Sequence, residues 1–144
     1  MSEEIQSLEI VYFVQATEDV ERLDDAVMEK LKVSDAATLD ELEGHFGNPI
    51  VRARHHLTGD EAMAVFRNLI TLIGSEGVSE LLRSLDLYLD EHKSLYVRLN
   101  KQELLRGIAR LSSIDSVRIK VKPRGFMKGD VRKFYARMME TETS

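Results

Sequence analysis

Eight side chains, spaced two residues apart within three segments, are of the types that together meet a polyanion. They are Arg52, Arg54 and His56; Tyr96 and Arg98; and Arg118, Lys120 and Lys122. Each set interleaves with an apolar one: Val51, Ala53 and Leu57 (with His55 in the same phase); Leu95, Val97 and Leu99; Val117, Ile119 and Val121. Strand side chains alternate between faces, so this pattern turns the apolar set into a core and the cationic set onto the opposite face. Cations neutralise phosphates and a ring stacks on a base, so a sheet face of this composition suits nucleic acid. Contacts of that kind go mostly to phosphate and shape, with little sequence discrimination. Alternating Lys and Arg also serve solubility and discourage edge-to-edge pairing. The weight of the reading therefore rests on three strands repeating the pattern.

Other residues invite chemistry less strongly. The loop Pro123-Arg124-Gly125-Phe126-Met127-Lys128-Gly129 and the segment after it, with Arg132, Lys133 and Arg137, form a basic stretch. A Gly-containing loop opening a helix presents backbone N–H groups to phosphate, although two glycines at this spacing match no phosphate-binding fingerprint. His45, His55 and His56 with Glu41 or Glu43 bring zinc to mind. Alternation, however, sends His55 to the core face and His56 to the other, so neither a metal nor another cofactor is expected. Glu18 and Asp19 suit a helix start, and Asp24 and Asp25 its solvent face, without catalysis. No Ser/His/Asp arrangement, phosphate loop or dinucleotide fingerprint is visible. The expectation is a binding module, not an enzyme.

Composition sets outer bounds. The 144 residues are 43% hydrophobic and 31% charged, as in an ordinary soluble domain. The absence of cysteine excludes disulfides, thiol catalysis and zinc-thiolate sites. No apolar run reaches the roughly 18–20 residues that span a bilayer, and the acidic start Ser2-Glu3-Glu4 is unlike a signal peptide. A reducing, cytoplasmic setting is expected. The net charge of −5 hides a split. Residues 1–92 hold 7 Lys/Arg against 20 Asp/Glu, a net −13, whereas residues 93–137 hold 13 Lys/Arg against 3 Asp/Glu, a net +10. Such asymmetry points to an anionic partner for the basic part, or to neutralisation within the fold or across a dimer.

The elements that must position these groups follow from periodicity. Leu8 to Ala16, β-branched and aromatic, reads as a central strand buried on both faces. Thr17 is expected to cap a helix with Val20, Leu23, Val27 and Leu31 on one stripe, followed by a loop from Val33 to Thr38. Asp40 to Leu57 reads as a β-hairpin turning at Gly47-Asn48-Pro49. Thr58 to Glu61 reads as a capping box, opening a helix through Met63, Phe66, Ile70 and Ile73. Gly74 should stop that helix and Ser75 restart a shorter one around Leu81, Leu82 and Leu85. Ser94 to Asn100 is a strand, and Asn100 then caps a helix with Leu104, Ile108 and Leu111 buried. Ser116 to Lys122 is the last strand, and Asp130 to Met139 the last helix, with Val131, Phe134 and Met138 on one face. The order β-α-β-β-α-α-β-α-β-α predicts a single α+β domain over residues 1–139 and a frayed tail over 140–144. It implies a mixed or mainly antiparallel sheet of about five strands with helices packed on one face.

Four blocks carry a family resemblance: Val14-Gln15-Ala16-Thr17-Glu18-Asp19; Leu42-Glu43-Gly44-His45-Phe46-Gly47-Asn48-Pro49-Ile50; Leu95-Tyr96-Val97-Arg98-Leu99-Asn100-Lys101-Gln102; and Val117-Arg118-Ile119-Lys120-Val121. Through them the chain resembles the archaeal RNA-binding protein family described as predicted exosome subunits. The resemblance implies a fold like that of the ribosomal protein that contacts 5S RNA, RNA as a partner, exosome components as further partners, homodimers and no enzymatic activity. His45, Asn48, Arg98, Lys101 and Arg118 stand in the matching blocks. The residues expected to contact RNA are Arg52, Arg54, Tyr96, Arg98, Lys101, Arg118, Lys120, Lys122, Arg124, Lys128, Arg132 and Lys133. The alternative is an assembly or scaffold protein whose basic segment pairs with an acidic protein surface or a dimer mate.

Overall fold

Helix and strand assignments below come from a computed structural model that describes residues 5–44, 47–124 and 130–143. The order is β1 (Ile5–Gln15), α1 (Val20–Leu31), β2 (Thr38–Glu43), β3 (Pro49–Thr58), α2 (Gly59–Arg83), α3 (Leu85–Tyr88), β4 (Leu95–Asn100), α4 (Lys101–Leu105), β5 (Ser116–Pro123) and α5 (Val131–Thr143). The strands form one sheet in the order β2-β3-β1-β5-β4, and every pairing is antiparallel. The helices pack on one face of it, giving a two-layer α+β domain.

Period-2 alternation decides which face is core. Leu8, Ile10, Tyr12 and Val14 of β1, Ala53, His55 and Leu57 of β3, Val97 and Leu99 of β4, and Val117, Ile119 and Val121 of β5 are buried beneath the helices. Helix α2 is apolar over most of its length and lies across β1 and β3, burying Met63, Phe66, Leu69, Ile70 and Ile73. It breaks at Gly74 (φ 72°, ψ −179°), a conformation that favours glycine, and then resumes. Helix α5 packs on α2 through Phe134, Tyr135 and Met139, with the Tyr135 ring edge-on to Phe66 at 6.2 Å.

The structure departs from the sequence reading at several places. Strand β1 is not buried on both faces: Phe13 and Gln15 are exposed and Glu9 half-buried opposite the helices, because helices cover one face only. Helix α1 is capped by Asp19, whose Oδ1 accepts from the N–H groups of Glu21 and Arg22 at 3.0 and 3.3 Å, and not by Thr17. Thr58 occupies the N-cap of α2, but its side chain makes no cap hydrogen bond. Helix α4 is only five residues long. Its N-cap is Asn100, whose Oδ1 accepts from Glu103 N–H at 2.9 Å, but it ends before Gly107 (φ 82°) and leaves Ile108 exposed. The chain then runs back along β4, with Leu111 bridged to Leu99.

The hairpin β2–β3 forms as expected, with Thr38 opposite Arg54 and Glu43 opposite Pro49. His45 and Phe46 lie outside the described residues. At its tip the Gly44 N–H donates to Asn48 O at 2.6 Å, and a Cβ on Gly44 would sit 2.7 Å from that backbone oxygen, so this close approach favours glycine.

A buried polar cluster ties the two layers together. Asp24, expected on the solvent face of α1, is buried. Its Oδ1 accepts from Tyr12 Oη at 2.8 Å and from His55 Nε2 at 2.7 Å, and its Oδ2 accepts from Ala37 N–H at 3.0 Å. Burial and the neighbouring carboxylate push the Tyr12 hydroxyl far above its ordinary range, so it stays a donor. Asp24→Ala would strand all three donors in the interior and should lower unfolding stability in urea by about 3 kcal/mol, whereas Tyr12→Phe should cost about 1 kcal/mol.

Candidate nucleic-acid interface

The face of the sheet opposite the helices carries the cationic set. Register aligns it in rows across the strands. One row runs Thr38, Arg54, Val11, Arg118, Arg98 from β2 to β4, and the next runs His56, Glu9, Lys120, Tyr96 from β3 to β4. Arg52 lies opposite both Asp40 and Phe13. Neighbouring strands lie roughly 4.8 Å apart, so these side chains form one continuous patch. Two of the arginines are held by carboxylates. Arg52 reaches Asp40 Oδ2 at 2.9 Å and Arg118 reaches Glu9 Oε1 at 3.3 Å, yet the Nε atoms of both are buried without a hydrogen-bond partner. Arg54 and Arg98 are exposed and make no ion pair among the described residues.

Tyr96 is on this face, but its ring is already engaged. Arg98, Arg118 and Lys120 approach its centroid to 5.5, 5.7 and 5.7 Å, and its hydroxyl donates to Asp90 Oδ2 at 3.2 Å. Among the described residues, the aromatic on this face without a ring or cation partner is Phe13, 45% exposed on the central strand. Sequence reasoning missed it by assigning β1 two buried faces. The signal was there: Phe13 shares its phase with Glu9 and Gln15, the polar residues of the strand. Around it Val11, Ile50, Arg52, Arg54, Arg98 and Arg118 line a depression of about 680 Å³.

Lys101 is not brought to this surface. Its side chain is 1% exposed, and Nζ donates to Phe13 O at 2.7 Å while pairing with Glu18 Oε1 and Asp115 Oδ1 at 2.9 Å each. The reason lies in the sheet. Pairing of β1 with β5 stops at Val11, whereas pairing with β3 continues to Gln15, so β1 outruns β5. The ammonium takes the carbonyl that the missing ladder leaves open. Burial alone would push the Glu18 carboxyl up, but Gln15 N–H, Lys101 and Gln102 outweigh it and hold that carboxyl below its ordinary value.

Lys120 and Lys122, outward on β5, also line a second depression of about 610 Å³ with Lys93, Arg124 and Arg132 at the end of that strand. Arg132 pairs with Asp86 at 3.2 Å and Asp130 at 3.3 Å, and Lys133 is exposed on α5 beside Asp86. Lys128 is outside the described residues. His55 points inward to Asp24 and His56 outward, and among the described residues no group of three or more His, Asp or Glu side chains is arranged to hold a metal ion. Among them also, no helix is long and apolar enough to cross a membrane.

Fold and face together define a two-layer α+β domain with an open, cationic sheet surface. A family model described as RNA binding matches residues 7–123, and the chain belongs to that RNA-binding family. It is 30% identical over 146 residues to an RNA-binding protein of Pyrococcus abyssi, with 94% of each chain covered. It is also 30% identical over 124 residues to an uncharacterised protein of Methanocaldococcus jannaschii, covering 78% of this chain and 80% of that one. Among solved structures, a protein of Methanothermobacter thermautotrophicus superposes with a TM-score of 0.74 at 23% identity, covering 97% of this chain and 98% of its own. A protein of Sulfolobus solfataricus gives 0.77 at 18% identity over 94% of this chain and 98% of its own. These two establish likeness of fold.

The Glu18 geometry carries a pH dependence. A carboxyl held low in the folded state contributes stability that is full above the ordinary glutamate value of about 4.3 and is lost as pH falls through the lower folded value. Urea titrations from neutral pH down to about pH 2 should show wild type losing stability more steeply on that acid limb than Glu18→Gln, which should already be weaker at pH 7.

Proposed function

We propose that the chain is a cytoplasmic, non-catalytic RNA-binding protein that takes RNA on the open sheet face, with the basic residues around Lys122, Arg124 and Arg132 as a second contact. The observation that carries this reading is the cross-sheet row Arg54, Val11, Arg118, Arg98, with Arg52 beside it, on a face that no described helix covers. Membership of the RNA-binding family and the likeness to the Pyrococcus protein support it. The face holds bidentate guanidinium donors over an apolar floor, a composition that fits phosphate and base together. The exosome association implied by the four sequence blocks is part of the same proposal.

A second reading, self-association, is favoured by one observation. Leu39 and Leu42 are exposed on β2, the edge strand, where an unpaired ladder invites another chain. Sedimentation across ionic strength in the absence of RNA separates a charge-paired assembly, which salt disperses, from an apolar one.

RNA affinity measured by filter binding should fall linearly on a log–log plot against salt, with a slope of about −0.7 per phosphate contact for single strands. Replacing Arg54 and Arg98 together by Gln should weaken binding to all sequences alike and flatten that slope by about 1.4. Absent or salt-independent binding would remove the proposal.

A further inference from the structure

The geometry points to the depression around Phe13 as a seat for one unpaired nucleotide, so that the RNA recognised is single-stranded at this point. This rests on the RNA-binding reading above and goes beyond it, since a phosphate-binding surface alone would accept a duplex as readily as a single strand.

Three observations converge on the seat. The ring of Phe13, 45% exposed, stands on the central strand of a face rich in charges, and among the described residues it has no ring or cation partner. An exposed aromatic flanked by guanidinium groups complements a base plane with phosphates on either side. The floor beside it is apolar, with Val11 buried and Ile50 half-buried, and four arginines surround it. The Nε atoms of Arg52 and Arg118 are buried without a hydrogen-bond partner, so both guanidinium groups that border the seat keep unused donor capacity.

The seat is also rigidly founded. Phe13 lies in the stretch where β1 outruns β5, and its own carbonyl is clamped by Lys101 at 2.7 Å. The side chain on that backbone therefore has a fixed base while one flank stays open, bordered by Ser116 and the exposed Asp115. A base entering from this flank meets Gln15 and Ser116, polar groups suited to its hydrogen-bonding edge. Lys101 acts here as a positioning residue, and not as a phosphate contact.

The test uses the full chain and oligoribonucleotides of about ten residues, the length scale of one such surface, offered as single strands and as the same sequences annealed to complements. Phe13→Ala should weaken single-strand binding by about 5- to 100-fold, the loss of one stacked base, and leave duplex binding unchanged. Phe13→Trp should retain the affinity. The chain has no tryptophan, so its single indole should be quenched by the single strand and not by the duplex. Unaltered single-strand affinity in Phe13→Ala overturns the seat while the salt-dependent arginine effect upholds RNA binding on the face. Loss of both effects overturns both readings. A shift of Phe13→Ala in sedimentation without RNA would mean that the ring is buried against a second copy of the chain, and would likewise overturn the seat.

Discussion

A buried ammonium with three oxygens around it holds this molecule's open face in shape. Lys101 draws on β1 through Phe13 O, on the β1–α1 turn through Glu18, and on the start of β5 through Asp115. Removing a charge from water costs several kcal/mol, and only close, multiple contacts return it. Here the contacts come from segments far apart in sequence, at a step where the sheet ladder itself is interrupted. The ladder would otherwise leave a carbonyl without a donor at the centre of the domain. The lysine thus replaces a strand pairing with a point charge and leaves the flank of β1 unobstructed.

The same economy governs the two layers. Most apolar side chains of β1, β3, β4 and β5 point one way, so the helices collect on that side and the other face is left to polar groups around Val11, Phe13 and Ile50. Asp24 joins the layers by gathering donors from β1, β3 and the loop before β2. A carboxylate in that position fixes the alignment of β1 with β3, and hence the placement of Arg52 and Arg54 against Phe13 and Val11.

Much of this was legible in the sequence. Strict alternation in β3, β4 and β5 revealed their strands, their buried sets and their outward cations, because one-sided burial imposes a period of two. The hairpin was legible because Gly47-Asn48-Pro49 interrupts two alternating segments, and Gly47 does take a positive φ of 77°. Long-range partnerships were not legible. Lys101 reads as an ordinary helix-start cation beside Asn100, and nothing local says that its partners lie 83 and 88 residues away. Asp24 reads as a solvent-facing carboxylate because its helix is otherwise polar there, while His55, its partner, reads as a misfit in an apolar phase. The two misfits explain each other only once the strands are paired. Phe13 was obscured by composition, since so apolar a strand suggested two buried faces. The extent of α4 was misjudged because the spacing of Leu104, Ile108 and Leu111 continued past Gly107, where the backbone turns away.

Glu9 and Asp40 have a consequence for selectivity. Each sits on the cationic face against an arginine, so the face carries its own tethered competitors. A small anion that meets Arg52 or Arg118 alone must displace a carboxylate that is always present at high local concentration, and it gains one contact for one lost. A polymer of phosphates seated first on Arg54 and Arg98 would bring further charges to bear on the occupied sites together. On the RNA-binding reading proposed above, the internal carboxylates would reserve Arg52 and Arg118 for a partner that already holds Arg54 and Arg98.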